Sequence, residues 1–189
     1  MVQGIRLLIV LGLWLGLWPL TGTTASAQDI PYILGPGDEI EISVWRDETL
    51  TRDVVISPDG LISYPLLGTI DTRGLTIGDL QEVFTERLAA YVPDTPVTVL
   101  LLRANSMRAY VIGKVEKPGQ FPITMETTVT QLLSMAGGLN AFAAPGKIFI
   151  LRRVDGVETR IPFNYDQMRR GGAQQPDLAL ERGDVVVVP

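Results

Sequence analysis

Twice in this chain the pattern Leu-x-x-Gly-Asp is followed at once by a run of β-favouring residues. Near the start it reads Leu34-Gly35-Pro36-Gly37-Asp38 and then EIEISVW. At the end it reads Leu180-Glu181-Arg182-Gly183-Asp184 and then VVVVP. Glycine permits a tight backbone entry with positive φ. Aspartate accepts hydrogen bonds from nearby backbone N–H groups in an Asx-type turn. Gly37-Asp38 and Gly183-Asp184 are therefore read as turn residues that start strands. The chain is expected to draw sheet from its first folded segment and from its last.

Ahead of the first copy lies a different kind of segment. Arg6 is followed by the apolar stretch Leu7–Leu20, and Ala25-Ser26-Ala27 supplies small residues at cleavage spacing. A charged start, a short apolar core and an A-x-A end define a secretory signal peptide over residues 1–27, cut between Ala27 and Gln28. The apolar core is shorter than the ~20 residues of a membrane-spanning helix. A retained anchor is the alternative. The chain of 189 residues has no cysteine, so it forms no disulfide and takes no lipid on an N-terminal Cys. It has no histidine, which removes Ser-His-Asp and Cys-His catalysis and the usual zinc ligands. The net charge of −5 argues against nucleic acid as a partner. No cofactor is expected.

Two halves follow. In DEIEISVW, Ile40, Ile42 and Val44 alternate with Glu39, Glu41 and Ser43, the period of a half-buried strand. DVVIS reads as a second strand and LISYPLLG as a third, joined as a hairpin by the turn Ser57-Pro58-Asp59-Gly60. From Thr76 the period becomes helical. Thr76 and Asp79 make a capping box, and Leu80, Val83, Phe84, Leu88 and Tyr91 form the apolar face up to Pro93. PVTVLLLRA has leucine on both faces and is read as a central strand covered twice. In the second half RAYVIGKV is a strand, Glu116–Gly119 with Pro118 a turn, and QFPI an extended run. TTVTQLLSMAGG is a short helix with the stripe Val129, Leu132, Leu133 and Ala136, closed by Gly137-Gly138. KIFILRR and VETRIPF flank the turn Val154–Gly156, NYDQMRRGG holds a helical turn, and VVVV closes the chain. The fold class is α+β, two small mixed-sheet units packed together, and the second has the element order of a β-grasp.

The acids at 38, 39 and 41 invite a catalytic reading. Glycoside hydrolysis needs two carboxyls ~5–9.5 Å apart across a cleft, and residues i and i+2 of one strand fall within that distance. A solvated strand face accounts for Glu39 and Glu41 equally well.

YILGPGDEIEISVW, VVISPDGLISYPLLGTI and GLTIGDLQEVFTERLAAYVPDTPVTV together resemble the polysaccharide export domain of the outer-membrane polysaccharide export family. AYVIGKVEKPGQFPITMETTVTQLLSMAGGLNAFA, IFILRR and LERGDVVVVP resemble the soluble-ligand-binding β-grasp (SLBB) domain that follows it. The resemblance implies an export domain over 28–104 and an SLBB domain over 105–189. It marks Gly35, Pro36, Gly37, Asp38, Pro58, Asp59, Gly60, Gly113, Pro118, Gly119, Gly137, Gly138, Gly183 and Asp184 as structural turn positions. Members are non-catalytic conduits for capsular or exopolysaccharide. The resemblance therefore implies a ring-shaped homo-oligomer in the periplasm, associated with the outer membrane. It also implies an inner-membrane chain-length regulator or tyrosine kinase as partner. The family's lipobox Cys is missing here, and no amphipathic helix follows VVVVP, so hand-over to a separate outer-membrane β-barrel is expected.

An anionic polymer would call for inward-facing cations, and Arg46, Arg52, Arg103 and Arg108 are candidates, with Arg152 and Arg153 behind them. Solvated strand ends account for the same arginines. Trp45 falls on the polar side of its strand, where it serves an interface or caps a core edge. Gln167–Gly172 is either a subunit contact or an exposed turn. Two further readings stay open: a monomeric periplasmic binding module for a glycan or small ligand, and a carboxylate-based glycan hydrolase or lyase acting through Glu39 or Glu41. N-terminal sequencing of the exported protein should begin Gln28-Asp29-Ile30; a start at Met1 would mean that the anchor is retained.

Overall fold

The computed structural model describes residues 31–154, 156–170 and 176–189. The segment 1–27 with its Ala27–Gln28 cleavage site, Asp155 of the 154–156 turn, and Gly171 and Gly172 lie outside the described residues. The first unit contains β1 (Glu39–Val44), β2 (Arg52–Val55), β3 (Leu61–Tyr64), β4 (Gly68–Asp71), α1 (Ile77–Leu88) and β5 (Val97–Arg103). The second contains β6 (Arg108–Gly113), β7 (Gly119–Pro122), α2 (Val129–Met135), β8 (Ile148–Val154), β9 (Val157–Phe163), α3 (Tyr165–Arg169) and β10 (Val185–Val188).

Strand alternation decides the first sheet. Ile40, Ile42 and Val44 are buried, and Glu39, Glu41 and Ser43 take the other face. β1 is the middle strand of an antiparallel sheet ordered β2-β1-β5. The expected cover on both faces of β5 is not found. β5 is an edge strand, with Val97 and Val99 buried but Leu100 and Leu102 49% and 43% exposed. The reason is that the core lies on one side only: α1 buries Leu80, Phe84 and Leu88 there, against the inward residues of the sheet. The expected hairpin across Ser57–Gly60 also differs. Gly60 N–H donates to Ser57 O (2.9 Å), so the turn forms. Yet β2 is laddered to β1, while β3 pairs with β4, which the reading of LISYPLLG as one strand left out. Pro65 breaks that run, and Leu66 takes the left-handed region at φ 65°.

Thr76 caps α1. Its hydroxyl accepts from Asp79 N–H, and the Asp79 carboxylate accepts from Thr76 N–H. The helix ends at Leu88, not at Pro93, because Tyr91 and Val92 N–H both turn back onto Leu88 O (2.9 Å each). Tyr91 leaves the apolar face and is 55% exposed. Phe84 meets Tyr64 edge to face, ring centroids 4.7 Å apart, a geometry favoured by the ring quadrupoles.

In the second unit the strand order is β7-β6-β10-β8-β9. β10 runs parallel to β6 and antiparallel to β8, so the last valines insert at the centre of the sheet. With α2 on one face this is the β-grasp arrangement. Val129, Leu132, Leu133 and Ala136 are all buried beneath it. α2 carries a second capping box, Thr128 with Gln131, which the sequence reading passed over. Gly137 and Gly138 end the helix at positive φ, and Gly138 N–H donates to Leu133 O (2.9 Å).

Each unit has its own buried apolar cluster, and Tyr32 packs against both. At Gly113 (φ 97°) a Cβ would fall 2.0 Å from Val188 O, whereas at Gly119 it would meet open space. Gly113→Ala is expected to lower the urea midpoint, costing about 1–3 kcal/mol through strain and overlap, and more than Gly119→Ala.

Candidate functional site

The two strand-starting Leu-x-x-Gly-Asp turns have the same hydrogen-bond pattern. Gly35 N–H donates to Asp38 Oδ2 (2.9 Å) and Asp38 N–H returns to Gly35 O (3.1 Å). Glu181 N–H donates to Asp184 Oδ2 (2.8 Å) and Asp184 N–H returns to Glu181 O (3.1 Å). The glycine N–H groups reach a neighbouring segment in both, Gly37 to Ile56 O just past β2 and Gly183 to Arg108 O of β6, each at 2.8 Å. The aspartate carbonyls accept from Ile56 and Tyr110 in turn (2.9 and 2.8 Å). Gly37 and Gly183 stand at φ 89° and 85°, a region that disfavours a Cβ. Both aspartates have no exposed surface, and Leu34 and Leu180 anchor each turn in its own core.

The two turns then meet each other, which the sequence reading did not foresee. Asp38 Oδ1 accepts from Ser106 N–H (2.8 Å), in the connection from β5 to β6. Asp38 Oδ2 also accepts from Tyr32 Oη (2.7 Å). From the second turn Arg182 reaches back to Ile33 O (2.5 Å), with its guanidinium 5.7 Å from the Tyr32 ring centre. Gly35 makes room for it: a Cβ there would lie 2.1 Å from Arg182 Nη1. The junction between the units is thus built from both copies of the pattern. Arg182, Ser106 and Tyr32 carry it, and only the repeat itself pointed towards it.

Asp184 has a different partner for its side chain. Arg152 donates through Nε to Oδ1 (3.0 Å) and through Nη2 to Oδ2 (2.6 Å), a two-pronged pairing. Its Nη2 also reaches Ala179 O (3.0 Å), and its Nη1 pairs with Glu181. The hydrogen bonds that Arg152 donates to Asp184 hold its pKa above its ordinary value. Arg152 is therefore committed inside the unit, with 13% of its side chain exposed.

The other expected cations do not converge. Arg103 Nη1 pairs with Glu39 Oε2 (2.6 Å) at one end of β1. Arg108 Nε donates to Asn105 O (2.7 Å). Arg52 lies opposite Ile42 and bonds Thr49 O (2.9 Å), and Arg46 (φ 60°) lies 5.8 Å from the Trp45 ring centre. Arg153 is exposed on β8. Trp45 is 63% exposed, and its N–H continues the β1–β5 ladder to Pro96 O (3.0 Å). Glu41 lies directly opposite Asp53 across β1 and β2. In the Ser57–Gly60 turn, Ser57 Oγ donates to Asp59 and Gly60 sits at φ 78°. Arg169 and Arg170 fall at the end of α3.

Two domains so joined define a class: an antiparallel-sheet module with one helix followed by a β-grasp. Residues 26–102 match the family described as Polysaccharide biosynthesis/export protein, and residues 107–188 match the SLBB domain. The chain therefore carries a polysaccharide biosynthesis/export domain followed by an SLBB domain. It is 33% identical to the EPS I polysaccharide export outer membrane protein EpsA of Ralstonia solanacearum, across 86% of this chain and 48% of that protein. It is 26% identical to the polysialic acid transport protein KpsD of Escherichia coli, across 83% of this chain and 28% of that protein. The exopolysaccharide production protein ExoF of Rhizobium meliloti is 25% identical across 57% of this chain and 28% of its own length. The chain thus spans about half of EpsA and less of the others.

Burial raises the Tyr32 pKa from 10.0 to about 12, and the adjoining Asp38 carboxylate adds to the rise. The neutral phenol is the form the fold favours. Its contribution to stability is complete below pH 10 and is lost as pH rises through about 12. Urea midpoints measured across that window should fall more steeply for the wild-type chain than for Tyr32→Phe. Asp184→Ala strands Arg152 without its carboxylate and should cost about 3–5 kcal/mol in urea unfolding.

Proposed function

We propose that this chain is a non-catalytic subunit of an envelope channel that carries capsular or exopolysaccharide from the periplasm to the cell exterior. The observation that carries this reading is the order of its two domains: the export domain and then the SLBB domain account for nearly all of the described chain. The names of EpsA and KpsD, an export outer membrane protein and a polysialic acid transport protein, support the same substrate class. We place the domains at 28–104 and 105–189, with the boundary in the connection that carries Ser106. The periplasm is the site of action, and a ring-shaped homo-oligomer and an inner-membrane chain-length regulator or tyrosine kinase are its partners. Exposed Arg46 and Arg103 remain candidates for facing an anionic polymer.

The buried aspartates serve this role as fasteners. Every oxygen of Asp38 and Asp184 is engaged by a donor of the chain itself, so neither is positioned to exchange protons with a substrate. A subunit under load from a moving polymer needs its two domains held at a fixed angle, and the junction supplies a directional, partly buried tie between them.

Deleting the gene should lower released polysaccharide and raise the cell-retained fraction. A copy with residues 1–27 should restore release and one without them should not. Unchanged release in the deletion strain would refute the export reading and leave a ligand-binding module in its place.

A further inference from the structure

The two sheets each leave one face open to solvent, and the faces are complementary. On the β-grasp sheet the face away from α2 carries two cross-strand rows. In one, Ile112, Val187, Phe149 and Pro162 stand opposite one another in register. In the other, Tyr110, Val185, Leu151 and Arg160 do the same. Tyr110 and Ile112 are 40% and 48% exposed. The Arg160 guanidinium lies 3.7 Å from the Phe149 ring centre, and Arg153 is exposed beyond it. Among the described residues neither Arg153 nor Arg160 has a carboxylate within ion-pair distance. Among the described residues Glu158, opposite Arg153, is the acid on this face.

The outer face of the first sheet is richer in acids: Glu39, Glu41 and Asp53 share it, and its Arg103 is paired with Glu39. Asp53, Glu41 and Leu100 form one row across β2, β1 and β5. Leu102 and Trp45, 43% and 63% exposed, flank it. Carboxylates directly opposite each other on an antiparallel pair repel. Among the described residues neither Glu41 nor Asp53 has a cation within ion-pair distance. A guanidinium brought from outside would relieve that repulsion.

Pairing the β-grasp face with itself would set arginine against arginine. The acidic, leucine-bearing face is the better match, with an arginine and aromatics of the kind enriched at interface centres. Both faces belong to one chain and both stay exposed within it, so a single copy does not satisfy them. We propose that the basic β-grasp face around Arg160, Phe149 and Tyr110 docks on the Glu41, Asp53, Leu100 and Trp45 face of a second copy of this chain. The contact is heterologous, so it propagates head to tail and closes as a ring or runs on as a filament. It rests on the export-subunit reading for its role and specifies how such subunits join.

The full chain, expressed with its own N-terminal segment and purified from the cell envelope, would be sized by native mass spectrometry and sedimentation velocity. An oligomer is expected. Arg160→Glu alone, and Glu41→Arg with Asp53→Arg, should each weaken assembly at least ~10-fold in apparent Kd, since truncating or reversing a charge across a docked surface costs that much or more. All three positions are at the surface, so urea midpoints should stay near wild type. The two variants mixed together should assemble again, because each then offers the charge that the other lacks. Trp45→Ala, which alters no charge, should also weaken assembly with its urea midpoint unchanged. A wild-type chain that stays monomeric, an oligomer indifferent to both charge reversals, or folded variants that fail to rescue each other would overturn the contact. Polysaccharide release separates the two proposals. Lost release in the deletion strain together with a monomeric chain sinks the contact and keeps the export reading. Unchanged release together with charge-swap rescue does the reverse.

Discussion

The structure depends on two buried carboxylates that each hold a backbone turn closed. A charged carboxylate stripped of water is costly unless donors replace the water. Asp38 receives Gly35 N–H, Ser106 N–H and the Tyr32 hydroxyl, and Asp184 receives Glu181 N–H and the guanidinium of Arg152. These directional bonds tie the start of β1 and the start of β10 to their neighbours. β1 is the centre of the first sheet and β10 the centre of the second, so the two aspartates position the middle strand of each unit.

The second consequence concerns how the units are joined. Arg182 leaves the second turn and covers Gly35 of the first, while Ser106 of the connection donates to Asp38. Tyr32 completes the contact by packing on both cores. A junction tied by several directional, partly buried hydrogen bonds resists bending in a way that a short exposed linker does not. The same economy of cover leaves each sheet with an outer face in solvent, because α1 and α2 each occupy one side only. Those open faces are what a repeating assembly can use.

Much of the fold was legible before the structure. Strict alternation in β1, helical spacing in α1 and α2, and the Thr76–Asp79 box are local signals, and local signals survive folding when the core agrees with them. The misreadings arose where a strand's neighbours decide the outcome. VTVLLLR has the composition of a doubly covered strand, yet only its Val97 and Val99 face is buried, while Leu100 and Leu102 stay exposed. LISYPLLG looks continuous, yet Pro65 and a left-handed Leu66 fold it into β3 and β4. The pentapeptide is ambiguous for the same reason. Leu75-Thr76-Ile77-Gly78-Asp79 repeats the pattern inside a helix start, where Asp79 caps α1 and Gly78 is helical. Only the β-favouring residues that follow Asp38 and Asp184 distinguish the strand-starting copies.

By itself the sequence determined the α+β class, the two-unit order, the strand faces and the turns, since these follow from side-chain period and from glycine and aspartate chemistry within a few residues. The tertiary structure decided what those turns are for. Asp38 meets Ser106, and Arg152 meets Asp184, across separations of 68 and 32 residues, and no local pattern encodes such pairs. It also decided that Arg152 is spent inside its unit while Arg160 stays open beside Phe149. Two arginines on facing strands differ in this way because burial and partner geometry are properties of the packed sheet, set only when β8, β9 and β10 come together.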